Sequence, residues 1–209
     1  MMSQMKMLDI DRRIWEEELE AFVPEHIFDV HSHIFKARHC LHPNDLPKYH
    51  SSWLKLNKVD LFFLKEYYNA FLPRRDIHYL LMGFPFRHCD FDSMNAFVAS
   101  EASKDSFSVP SMVVHPQMQP EEVAAAIDKY SFVGLKPYRL YSITGDTVEC
   151  AITDMLPEPL IEVANDKHLL ITLHLGKRAG IADPGNIKEI IRLTKQYANV
   201  QWVLAHCAH

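Results

Sequence analysis

The sequence predicts an α/β fold of parallel βα units: a (β/α)8 TIM-like barrel, incomplete, with about six of the eight units present. Three observations point there. Short apolar runs alternate with amphipathic helical stretches along nearly the whole chain, the order expected of parallel strands joined by crossover helices. Histidines fall at the ends of three of the runs, as His31 and His33, His174 and His206, and a barrel gathers the C-terminal ends of its strands on one face. No G-x-G-x-x-G or Walker loop follows any run, which weakens the alternative of an open, nucleotide-binding sheet.

Arg12 to Val23 carries Trp15, Leu19 and Phe22 at i, i+4 and i+7, the stripe of an amphipathic helix. Ile27 to Val30 is the first strand, and a long insertion rich in His and Pro precedes a helix near Val59 to Phe71. Ile77 to Met82 is the second strand, stopped by Gly83 and Pro85. Asp92 to Ala102 reads as helix, and Ser111 to Val114 as a third strand ending at His115-Pro116. Pro120 suits the first position of the next helix, Glu121 and Glu122 the positive end of its dipole, and Val123, Ile127 and Tyr130 its buried stripe. Phe132 to Leu135 is the fourth strand, followed by a long loop from Lys136 to Thr153. A helix over Pro157 to Asn165 leads to a fifth strand, Leu169 to Leu175, apolar on both faces apart from Thr172 and His174. Asp183-Pro184 joins an N-cap to a first-position proline and opens a helix lined by Ile187, Ile190, Ile191 and Tyr197. Val200 to Ala205 is the sixth strand.

With 48% hydrophobic residues over 209 positions, the chain can bury a core for one domain, taken as 1–209 and read as the N-terminal portion of a longer barrel. A net charge of −5, with basic spots no longer than Arg74-Arg75 and Lys177-Arg178, gives no nucleic-acid track. Residues 1–23 hold no apolar run of a secretory signal, and no window resembles the roughly 20 apolar residues of a membrane span. Cys40, Cys89, Cys150 and Cys207 are far apart and form no C-x-x-C pair, so free thiols in a cytoplasmic protein are expected. The unusual count is 13 histidines. His39, His42 and His50 are expected at the surface or in loops; those at strand ends invite chemistry.

In Phe28-Asp29-Val30-His31-Ser32-His33, side chains two apart share a strand face, about 6.6 Å apart at roughly 3.3 Å per residue. His31 and His33 therefore converge on one ion while Ser32 points away, and neutral imidazole is a good ligand for zinc and similar ions. His174 and His206 repeat the placement on the fifth and sixth strands. Lys136 ends the fourth strand in Gly134-Leu135-Lys136-Pro137-Tyr138-Arg139. A lysine there binds a substrate anion as a point charge, joins the metal site as a carbamate, or snorkels at the rim. Tyr138 and Arg139 are candidates to line a pocket for an acidic substrate. Arg87, His88 and His115 are weaker candidates of the same kind. Asp29 reads as a supporting residue behind His31 or as plain interior, and Cys207 as a packed thiol or a neighbour of the metal.

Asp29-x-His31-x-His33, Gly134-Leu135-Lys136, His174 and His206 together resemble the amidohydrolase superfamily, specifically its amidohydrolase-2 type, across nearly the whole chain. The resemblance implies one or two divalent metals, zinc first with manganese as an alternative, held by His31, His33 and His174, with Lys136 as a further ligand. His206 then serves as a catalytic residue or second-metal ligand. It implies hydrolysis of a small polar carbonyl compound by metal-activated water. Two alternatives stay open: a decarboxylase of a small carboxylic acid on the same scaffold, and a non-catalytic fragment. The family pattern also calls for an aspartate ending an eighth strand, which this chain lacks; Asp146 and Asp154 lie elsewhere and are not its equivalents. The chain is thus expected to be truncated and inactive as it stands. Its open strand edges leave room for a homo-oligomer. A small molecule is the expected partner, with neither nucleic acid nor membrane.

Overall fold

The computed structural model describes residues 7–46 and 52–208. In chain order its regular elements are α1 (Asp9–Ile14), β1 (His26–Lys36), β2 (Lys58–Val59), α2 (Leu61–Phe71), β3 (Asp76–Gly83), α3 (Phe91–Ala102), β4 (Val109–Val114), α4 (Pro120–Tyr130), β5 (Gly134–Pro137), α5 (Ile152–Met155), α6 (Glu158–Asp166), β6 (Leu170–Leu173), α7 (Pro184–Gln196) and β7 (Gln201–Leu204). Seven strands form one sheet in the order β2-β1-β3-β4-β5-β6-β7. Every neighbouring pair is parallel except β1 with the short β2. The six parallel strands keep their sequence order, as in a barrel wall, and all six were legible as apolar runs. Among the described residues no helix is long and apolar enough to cross a membrane.

The polar caps act where the spacing places them. Asp60 accepts a hydrogen bond from the Phe63 amide (2.9 Å), Asp90 from that of Ser93 (3.1 Å), and Asp183 from those of Gly185 and Asn186. Each satisfies amide groups that the first helical turn leaves unpaired. Helix α3 is pinned to the sheet by buried Asn95, whose side-chain amide donates to the Val113 carbonyl and accepts from the Val113 amide. The core lies between sheet and helices, around Tyr79, Leu81, Met82, Val113, Leu135, Ile161, Ile171 and Leu173.

Four elements differ from expectation. β1 runs to Lys36 rather than stopping at Val30, because β2 pairs with its far end at Phe35 and Lys36; His31 and His33 therefore lie within the strand. The first helix passes at Trp15–Leu19 into a π-helical turn. That turn shifts the angular phase of the stripe, so Trp15 is buried under the Arg75 guanidinium while Phe22 is 82% exposed. In α7 the buried face is Asn186, Ile190, Leu193 and Tyr197; Ile187 and Ile191 face outward. The predicted fourth strand sits slightly early, since the ladder with β4 and β6 begins at Gly134.

Candidate metal centre

Five strands and the turns that follow them build one cluster. β1 supplies His31 and His33; β3 supplies the Gly83 carbonyl; β5 ends with Lys136 and Pro137, directly before Tyr138 and Arg139. His174 follows β6, and His206 lies in the turn after β7 with a left-handed backbone (φ 54°, ψ 42°). The ring centroids of His31 and His33 are 5.0 Å apart, those of His31 and His206 4.9 Å, and those of His174 and His206 5.0 Å. A cavity of about 330 Å³ opens over them, walled by Phe84, Pro85, Tyr138, Arg139 and Thr147.

Alternation alone does not account for this placement. The β1–β3 register shifts between Asp29 and Ser32, a bulge of the kind that re-aims side chains. There the Ser32 hydroxyl turns back to donate to Asp29 (2.7 Å), the His31 amide donates to the same carboxylate (2.9 Å), and the Tyr68 hydroxyl of α2 donates to it as well. Asp29 thus ties α2 to the bulge. Burial raises its carboxyl, but these three donors outweigh burial and hold it below its usual value. His33 is oriented from the other side: its Nδ1 lies 3.2 Å from the Gly83 carbonyl, which also accepts from the Tyr138 hydroxyl (2.9 Å). An Nδ1–H donating to that carbonyl leaves Nε2 with its lone pair free for a metal.

The electrostatics favour neutral imidazoles. Burial, then the charge of Lys136, pushes His31 down to about 4. Burial, then His31 and Lys136, takes His33 to about 3. Burial, then Arg139 and Lys136, takes His174 to about 4. All three are neutral bases at neutral pH. Lys136 is fully buried, its Nζ has no hydrogen-bond partner, and burial alone lowers it to about 7. The amine lies 5.1 Å from the Tyr138 ring centroid, so it is no snorkelling rim residue.

This donor set fits a divalent transition metal in residue type: neutral nitrogens from three strands beside an orphaned buried amine. The imidazoles stand somewhat apart, and no three of them bring ring nitrogens within 4.8 Å of one another.

Other expectations fare differently. Arg87 and His88 lie outside the cavity, and His88 stacks on His42. His115 bonds Gln117 and stacks on Phe91, away from the cluster. Cys207 is exposed rather than packed, while Cys40, Cys89 and Cys150 are buried free thiols. His39 is buried, not a surface residue: its Nδ1 accepts from the Lys36 amide and its ring packs on Phe97. His50 lies outside the described residues. Phe84, Pro85 and Thr147 were missed as site residues, since no local pattern marks a wall built by loops of distant sequence.

No protein-family model matches the chain, and no curated protein matches its sequence. Solved structures do. One is a 2,6-dihydroxybenzoate decarboxylase complexed with 2,6-dihydroxybenzoate, with a TM-score of 0.53 at 13% identity over 85% of this chain and 65% of that one. Another is a dihydroxybenzoic acid decarboxylase from a Polaromonas species with bound manganese and the inhibitor 2-nitroresorcinol, with a TM-score of 0.51 at 12% identity over 84% and 63%. At such identities the likeness is one of fold. The chain spans just under two thirds of the length of these neighbours. Both neighbours are decarboxylases and neither is a hydrolase, so the expected hydrolase is not borne out. A strand-end histidine cluster decides where charge is stabilised, not which bond breaks. Zinc in particular gains no support, since the metal named in a neighbour is manganese.

Proposed function

We propose that this chain carries the metal-site portion of a metal-dependent decarboxylase acting on a small hydroxylated aromatic acid. The observation that supports it most is the convergence of His31, His33, His174 and His206 on one cavity that also has two aromatic walls and an arginine. His31, His33 and His174 would hold the divalent metal through neutral imidazole nitrogens. When bound, the metal supplies fixed positive charge for the oxygen anions of the substrate. Arg139, partly exposed at the cavity wall, suits the carboxylate through its planar fork of donors. Phe84 and Tyr138 offer flat apolar faces to an aromatic ring. Loss of CO₂ replaces a carbon–carbon bond by a carbon–hydrogen bond, so one proton must reach the ring carbon. Its arrival forms the C–H bond from ring electrons, and the pair from the broken C–C bond then returns to the ring. His206, at the cavity and flanked by His31 and His174, is the proton donor in this reading.

The test loads the chain with manganese or zinc, adds 2,6-dihydroxybenzoate and follows CO₂ release. CO₂ and resorcinol are the expected products, and the His31→Ala/His33→Ala variant loses both the metal of the central cluster and turnover. A metal-loaded protein that cleaves amides or lactones and leaves hydroxybenzoates intact and unbound overturns the proposal.

A further inference from the structure

A second group of metal-ligating side chains lies outside the cavity. After β1 the chain forms a short turn at Ala37–His39 and then runs antiparallel to the segment after β3. Cys40 pairs with Cys89 there, the Leu41 amide donates to the His88 carbonyl (2.8 Å) and the Asp90 amide to the His39 carbonyl (2.9 Å). This ladder is backbone-built, so it sets the position of both segments whatever their side chains do. It brings His42 beside His88, with ring centroids 4.5 Å apart and planes inclined by 32°. A single 3-10 turn, Pro43–Asp45, then folds Asp45 back over the two rings, its amide bonded to the His42 carbonyl.

The result is a compact triad. Asp45 Oδ2 lies 3.4 Å from His42 Nδ1 and 4.0 Å from His88 Nε2, and one ligand atom from each residue lies within 4.8 Å of the other two. Among the described residues it is the group of three or more His, Cys, Asp or Glu side chains that converges this closely. Ligands at metal–nitrogen and metal–oxygen distances of about 2.0–2.1 Å in a tetrahedron stand roughly 3.3 Å apart. One edge of the triad already has that length, and half-exposed side chains on a fixed backbone close the others by small rotations. Among the described residues the ion partners of Asp45 are these two imidazoles, with no lysine or arginine in competition.

We propose that His42, Asp45 and His88 form a surface site for a borderline divalent cation, zinc foremost. Two imidazole nitrogens and one carboxylate oxygen hold it and leave the remaining coordination to water. Two nitrogens select a transition metal over calcium or magnesium. Bound there, the ion staples the turn after β1 to the segment after β3. The site shares no residue with the central cluster and does not depend on the proposed reaction.

The test uses the chelator-stripped whole chain. Zinc stoichiometry by equilibrium dialysis with elemental analysis, and zinc-dependent melting, are compared among the wild type, His42→Ala/His88→Ala, Asp45→Asn and His31→Ala/His33→Ala. The surface double variant is expected to bind one zinc fewer than the wild type and to lose part of the zinc-induced rise in Tm. Asp45→Asn is expected to weaken the same zinc by about 10–100-fold, the loss typical even for residues that only support a ligand. The His31→Ala/His33→Ala variant keeps this zinc. The three substituted side chains are half-exposed, and circular dichroism of the zinc-free variants verifies their folding. An unchanged stoichiometry and melting response in His42→Ala/His88→Ala overturns the site, as does loss of all zinc in His31→Ala/His33→Ala. Calcium or magnesium matching zinc in dialysis overturns the assigned metal class.

Discussion

Lys136 is the residue whose burial has the largest consequence for pH. Its amine is fully enclosed without a hydrogen-bond partner and titrates at about 7 in the folded protein, against about 10.4 in the unfolded chain. The unfolded state therefore binds more protons between pH 7 and roughly 10, and stability rises with pH across that window. Below pH 7 both states carry the charge and the full burial penalty is present. In metal-free protein, Lys136→Met should raise Tm at pH 7 and flatten this slope, measured by melting between pH 6 and 10. An unchanged slope would show that the amine is not enclosed as described. His31 and His33 carry a separate prediction: replacing both with Ala should remove the metal of the central cluster by elemental analysis. Both histidines were legible from a two-residue spacing, because strand alternation is a local property. The partners that orient them were not. Gly83 and Tyr138, which meet His33, and Tyr68, which bonds Asp29 behind His31, come from three other parts of the chain, and no spacing connects them to these histidines.

At the scale of elements, the site depends on how closely β5 approaches β6. Gly134 opens β5 opposite Leu170, and a β-carbon there would lie 2.9 Å from the Leu170 carbonyl oxygen and against its side chain. A backbone atom cannot rotate away, so Gly134→Ala must spread the two strands that deliver Lys136 and His174. Overpacking of this kind costs about 1–3 kcal/mol, to be read as a lower denaturant midpoint. A wild-type midpoint would mean that the ladder yields without strain. Asp90→Ala removes the cap of α3 and should cost about 1 kcal/mol in the same measurement. Helices with a first-position proline and a regular stripe, such as α4 with Pro120, Val123 and Ile127, were readable because both signals lie inside the element. The stripe of the first helix was not, since its π-helical turn shifts which residues face inward and leaves Trp15 packed under Arg75.

Over the whole molecule, Asp105 links parts that lie far apart in sequence. It stands between α3 and β4, bonds His78 of β3 and Ser108, and pairs with Lys65 of α2 at 3.3 Å. Burial raises its carboxyl, but the hydrogen bonds from His78 and Ser108, the Phe107 amide and Lys65 outweigh it and hold the group at about 2. A depressed carboxyl contributes stability that is present above the unfolded value near 3.9 and is lost as pH falls through about 2. Acid unfolding followed by circular dichroism should therefore steepen between pH 4 and 2. Asp105→Asn should lower stability at pH 7 and remove that component, and an identical acid profile in the variant would contradict the linkage.

The sequence by itself determined six strands, their parallel order and the histidines on or just after three of them, because periodicity, capping and polarity changes are written within a few consecutive residues. It also carried the decarboxylase as an alternative it could not choose, since fold and ligand type are compatible with several reactions. Tertiary structure alone decided which way the side chains of β1 turn at its bulge, how far burial depresses Lys136, and which loops wall the cavity. It alone brought His42, expected at the surface or in a loop, and His88, expected as a candidate pocket residue, onto one carboxylate. Each of these depends on the meeting of segments tens of residues apart, where the environment of a side chain is set by neighbours that local sequence does not name.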